Sequence, residues 1–167
     1  TISDTVTDPS GFLSSSDTAT IREAAGRAAD EGIDFYVVVV PDFSGEANVA
    51  WCQHSGSASG LSPSSVVLTI AYEERSFASC GNEGEQVVSD STLTQARNAA
   101  KEELGRANPL DASTTTAAVT AFVDTMVAGA GSGGTTSSTD QGSDPSALSP
   151  SSSGLLSPWV LLVLLLG

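Results

Sequence analysis

A chain of 167 residues, 40% of them hydrophobic, is long enough to bury one compact core and still carry appendages. Twenty acids against six bases give a formal net charge of -14, and a surface of that sign repels nucleic-acid phosphates and anionic lipid headgroups while attracting divalent cations. Nucleic acid is therefore not expected as a partner. A structural zinc site is excluded as well, because it wants four soft ligands and the chain has two cysteines and one histidine.

In chain order, the first feature is a turn. Pro9 and Gly11 bend the chain after Asp8, and Phe12 and Leu13 then anchor it to a core. Ser16 or Asp17 can cap a helix that runs to about residue 31, with Ile21, Ala24, Ala25 and Ala28 along one face and Gly32 as its stop. Residues 33–40 follow, ending in four consecutive valines before Pro41. A β-branched run without alternation predicts a strand covered on both faces.

Residues 45–52 predict a short helix with Val49 and Trp51 as its apolar contacts, followed by a Ser/Gly loop over 55–63. Residues 66–71 predict a second buried strand, which stops at a polar turn carrying Glu73, Glu74 and Arg75. Residues 77–80 predict a short strand after that turn. A loop over 82–90 leads, through Ser89 or Asp90 as cap, into a helix over 91–107 with a Leu93, Ala96, Ala100 and Leu104 stripe. Asn108 and Pro109 break it, and a last helix over 112–128 presents Ala118, Val119, Phe122, Val123 and Met126. The order α-β-α-β-β-α-α predicts a three-layer α/β/α sandwich with a small mixed sheet.

The composition changes after residue 128. Of the 26 residues 129–154, 20 are Gly, Ser, Thr or Pro, too polar to offset the entropy of ordering. As a random coil this linker spans about 28 Å. Residues 155–167 then run apolar, and the twelve residues 155–166 would reach about 18 Å as a helix. That length reads as the start of a transmembrane helix, with Trp159 at the interface, rather than as a loose tail folded onto the domain. Because the chain begins at Thr1, a leader is expected to have been removed or omitted. The soluble domain, residues 1–128, would then sit on the extracytoplasmic side of a cell membrane. There Cys52 and Cys80 would pair in a disulfide; in a reducing compartment they would be two buried thiols.

Few motifs carry chemistry. Residues 129–134 satisfy G-x-G-x-x-G, but they follow a helix rather than a strand and open no helix, so they cannot cradle a phosphate. His54 is the only possible triad base, and no G-x-S-x-G elbow exists. What remains are carboxylates at turns: Asp8, Asp42, Glu73, Glu74 and Asp90. Groups just past strand ends gather in a crevice of an α/β sheet, where acids can hold Ca²⁺ or Mg²⁺ and Arg75 can hold a phosphate. The plainer reading is that these are capping and turn-forming acids on a solvated rim.

Four stretches together resemble the TPM-domain family, named for a thylakoid lumen phosphatase, a photosystem II repair factor and a receptor-associated membrane protein. Val6-Thr7-Asp8-Pro9-Ser10-Gly11-Phe12-Leu13-Ser14 is similar to its V-x-D-x-x-G-x-L-S opening. Phe35-Tyr36-Val37-Val38-Val39-Val40-Pro41 and the strand from Val66 into Glu73-Glu74-Arg75 match its apolar strands in order and spacing, and Val88-Ser89-Asp90 stands where the family has an aspartate leading into a helix. The resemblance implies an exported α/β/α domain tethered beside a membrane, with divalent-cation binding and, for some members, acid phosphatase activity. By motif position it gives the cation to Asp8, Glu74 and Asp90 and a supporting, ligand-binding role to Arg75; Glu73 and Asp42 join as further ligand-binding residues from their place just past strand ends. Two departures are visible. The hairpin acids here are glutamates rather than aspartates, and Gly81-Asn82-Glu83-Gly84 replaces the family's glycine pair. Two functions follow as expectations: a cation-binding domain that hydrolyses phosphomonoesters, or a non-catalytic module assisting assembly of a membrane-protein complex.

Overall fold

The structure, a computed structural model, describes residues 1–83 and 88–132. The apolar segment 155–167 and most of the linker lie outside the described residues. The elements are β1 (Val6–Thr7), α1 (Ser15–Asp30), β2 (Phe35–Val40), α2 (Asn48–Ala58), β3 (Val66–Ala71), β4 (Ser76–Gly81), α3 (Asp90–Leu104) and α4 (Ala112–Ser132). Apart from the two-residue β1, too short to leave a periodic signal, this is the order the sequence predicts.

The four strands lie side by side as β1-β2-β3-β4, the first three parallel and β4 antiparallel to β3. The valine run explains the layering. Successive side chains of a strand point to opposite faces. Phe35, Val37 and Val39 of β2, with Val66, Leu68 and Ile70 of β3, face a core built with α1, α3 and α4. Val38, Val40, Val67 and Ala71 face the other way, against α2, Phe43 and Ile2. The fold is thus a mixed-sheet α/β/α sandwich, as expected, with unequal outer layers.

Local chemistry sets the boundaries, and some differ from expectation. The cap of α1 is Ser14, not Ser16 or Asp17. Its hydroxyl accepts from the Asp17 N–H at 3.1 Å while the Asp17 carboxylate accepts from the Ser14 N–H at 3.1 Å. The helix α2 runs through Ser55–Ala58, where the sequence predicts a loop, and packs on the sheet there: a Cβ on Gly56 would make ordinary contact with Val67 Cγ2 at 3.9 Å. The last helix continues to Ser132, four residues into the predicted linker. A Cβ on Gly129 would collide with Thr92 at 2.3 Å, so the glycine permits the end of α4 to close on the start of α3.

The α2 layer is the weaker one. Only Cys52 and Gly56 of this helix are buried, and its first residue has no side-chain cap. A disulfide from Cys52 to Cys80, with Cα atoms 6.0 Å apart, ties it to β4. Closing a loop of sequence separation 28 limits the unfolded chain by about 3.5 kcal/mol.

Two predictions follow from these anchors. Replacing both cysteines by alanine lowers the melting temperature by roughly 10 °C. In hydrogen exchange, protection disappears first from α2 while α1, α3 and α4 keep theirs; uniform loss would contradict a locally acting tie. The Ser14 hydroxyl holds the Asp17 carboxyl below its ordinary 3.8, and the Thr114 N–H does the same for Asp111 at the start of α4. Depressed carboxyls stabilise the fold above the unfolded value and lose that contribution as pH falls through the folded one. A melting-temperature profile from about pH 6 to about pH 3 should therefore fall less steeply for Asp17→Asn than for the wild type.

Candidate functional site

Because β1, β2 and β3 are parallel neighbours, their carboxyl ends share one rim of the sheet. Asp8 follows β1, Asp42 follows β2, and Glu73, Glu74 and Arg75 form the turn after β3. Four of the acids predicted to converge therefore do lie at one end. The rings of Phe12 and Tyr72 stack there at 4.0 Å between centroids, closing the core beneath the rim.

The partners of these groups define what they do. Asp8 accepts from the Leu13 N–H at 2.7 Å and the Ser10 hydroxyl at 3.0 Å, and its carbonyl accepts from the Gly11 N–H at 3.3 Å. It shapes the loop that enters α1. Asp42 Oδ1 takes the Ser44 N–H at 2.6 Å, which holds Ser44 at φ 56°. The Glu73 N–H donates to the Pro41 carbonyl at 3.0 Å, joining the ends of β2 and β3, while the Glu73 and Glu74 side chains stay exposed.

Arg75 turns the hairpin in the left-handed region at φ 52°, a conformation costing about 1 kcal/mol for a residue other than glycine. Its Nη2 donates to the Ala107 carbonyl at 3.0 Å. A cation beside the end of α3 is favourable because the unpaired carbonyls of a helix C-terminus carry partial negative charge. The guanidinium expected to clamp a phosphate thus links the hairpin to the α3–α4 connection.

Asp90 lies elsewhere. β4 runs back to the opposite end of the sheet, where Gly81 pairs with Val66, and Asn82 Nδ2 donates to the Val88 carbonyl at 2.8 Å, holding the approach to α3 at that end. The helix then climbs toward the rim, where its far end meets Arg75. Its 15 residues set Asp90 about 20 Å from the other end of the helix. Asp90 is the first residue of α3, behind the cap Ser89, and serves the helix dipole. No group of three or more His, Cys, Asp or Glu side chains that could hold a metal occurs among the described residues.

At the Asp90 end, on the α2 face, opens a cavity of about 250 Å³ lined by Gln53, Ser57, Leu61, Val67, Cys80 and Glu83. Sequence reasoning missed it, since its serines and glycines carry the signature of a loop.

The TPM domain model matches residues 6–128. The chain belongs to the TPM domain family. Among solved structures, the N-terminal domain of the cg2496 protein from Corynebacterium glutamicum, determined by NMR in solution, is similar at 26% identity and a TM-score of 0.63. That likeness covers 88% of this chain and 90% of the other. No curated protein matches the chain.

This TPM domain does not assemble the cation ligands that motif position suggests. Asp8 is engaged by its own turn, and Asp90 begins α3 at the end away from the contact with Arg75. The described residues therefore do not fit a centre made of Asp8, Glu74 and Asp90. No described helix is long and apolar enough to cross a membrane.

Proposed function

We propose that this TPM domain is held at a cell membrane on the extracytoplasmic side, where it acts as a non-catalytic interaction and assembly module of a cell-envelope complex. The observation that carries the reading is the separation of Asp90 from the rim by the length of α3. With it, the acids divide between two ends of the molecule rather than meeting around a phosphoester.

Other features agree. His54, the chain's one histidine, sets its Nδ1 2.6 Å from the Glu46 carboxylate and is 76% exposed, so it is not poised beside a hydroxyl as a general base. Both thiols are committed to the disulfide, which removes them as nucleophiles and suits an oxidising compartment. The apolar run 155–166 supports anchorage and, through it, contact with a membrane-protein partner.

A second reading, favoured by the adjacency of β1, β2 and β3, is that the rim acids Asp8, Asp42, Glu73 and Glu74, which form no preassembled metal group, together attract a divalent cation such as Ca²⁺ or Mg²⁺ to the rim.

One set of measurements separates these readings. A chromogenic phosphate ester should turn over no faster with the protein plus Ca²⁺ or Mg²⁺ than with the chelated control; a metal-dependent rate abolished by Asp8→Asn would reject the non-catalytic module. In a calcium titration followed by NMR, the rim reading expects Glu74→Gln to weaken binding about tenfold and Asp90→Asn to leave it unchanged. Anchorage predicts that the full chain floats with phosphatidylcholine vesicles whereas a chain ending at Gly131 does not. Equal behaviour of the two removes the tether.

A further inference from the structure

The two edges of the sheet are built differently. At one, β1 is two residues long, which leaves little for another chain to pair with. At the other stands β4, Ser-Phe-Ala-Ser-Cys-Gly, six residues without a charge or a proline. It carries neither the charges nor the proline that commonly protect an exposed edge.

The pairing pattern shows which backbone groups β4 presents. The N–H groups of Val66 and Tyr72 donate to the Asp34 and Val40 carbonyls, at 2.8 and 3.0 Å, on the β2 side of β3. Alternation then turns Val67, Thr69 and Ala71 toward β4, opposite Cys80, Ala78 and Ser76. Phe77, Ser79 and Gly81 direct their backbone groups outward. Asn48 Nδ2 occupies the Phe77 carbonyl at 2.9 Å, but among the described residues nothing beyond β3 pairs with the backbone of Ser79 or Gly81.

Charge decides what fits this edge. Glu73 and Glu74 lead into β4, Glu83 follows it and lines the adjoining cavity, and residues 1–128 hold eighteen acids against six bases. The two nearby arginines are engaged on the α3 side: Arg97 Nε donates to Ser79 Oγ at 2.7 Å, and Arg75 to the Ala107 carbonyl. A second copy pairing antiparallel through the same edge would set Glu73 and Glu74 of one molecule against Glu83 of the other, which repels.

We propose that β4 receives an extended, lysine- or arginine-rich segment of a partner protein as a fifth strand. Ser79 and Gly81 supply main-chain hydrogen bonds. A basic side chain on the α2 face enters the cavity toward Glu83, its aliphatic stem against Leu61 and Val67. This inference rests on the module reading and names its partner. Turnover of a phosphate ester would defeat that reading without touching the edge, and failure of the edge would leave the module to another surface.

The test uses the oxidised full chain, ¹⁵N-labelled, with a hexapeptide of alternating lysine and valine, its glutamate–valine counterpart, and a lysine–valine peptide N-methylated at alternate residues. The lysine peptide should shift the Ser79 and Gly81 amide signals and slow their hydrogen exchange about tenfold, while the other two peptides do neither. Ser79→Pro, which removes only an outward N–H from the ladder, should abolish binding. Ser79→Ala, which equally loses the Arg97 contact, should bind as the wild type does. The proposal is overturned by silence at millimolar lysine peptide, by shifts centred away from β4, or by equal binding of the two Ser79 variants. Equal binding of the N-methylated peptide overturns it also where Ser79→Pro does not fold, and so does protection of Ser79 that grows with protein concentration alone, which would make the occupant a second copy.

Discussion

The structure depends on two strands that are apolar on both sides. Val37 and Val39 of β2 with Leu68 and Ile70 of β3 must leave water on one face, and Val38, Val40 and Val67 on the other. Each such side chain contributes about 1.5–3 kcal/mol when fully buried. No arrangement with a solvated sheet face satisfies that demand, so helices are needed above and below.

The two covers are not equal, and the asymmetry organises the rest. The α1, α3 and α4 side gathers twenty-four buried apolar residues among those described, the α2 side eight. A large cover holds itself by area. The small one gains from a covalent tie, and the disulfide falls where α2 meets the edge strand. The weaker layer borders the cavity and the open edge of β4, while the polar rim sits over the better-packed side, sealed by the Phe12–Tyr72 stack. Binding surfaces carried on a lightly packed layer can adjust at little cost to the core.

Family membership does not by itself fix the site chemistry of this molecule. The stretches that resemble the TPM family lie in the elements that make the sandwich: the turn at Asp8, the valine strand, and the strand ending in two acids and an arginine. Those residues have structural duties here. Asp8 orders the loop into α1, and Arg75 joins the hairpin to the end of α3. A motif can therefore persist for the fold it stabilises, and a shared fold does not by itself carry an activity.

Much of the fold was legible in the chain. Unalternating valines announced doubly covered strands, helical stripes located α1, α3 and α4, and of the two readings open for the cysteines the disulfide is the one formed. The α2 helix was legible only in part, since serine and glycine read as loop until packing on the sheet holds them in a helix. The acids were legible as turn residues but not as a constellation. Sequence determines local periodicity and chain order because these depend on neighbours a few positions apart. Only the tertiary structure decided that Asp8, Asp42, Glu73 and Glu74 share a rim and that Asp90 does not. The direction in which a 15-residue helix runs carries its first residue about 20 Å from its last, and that direction is set by what the helix packs against.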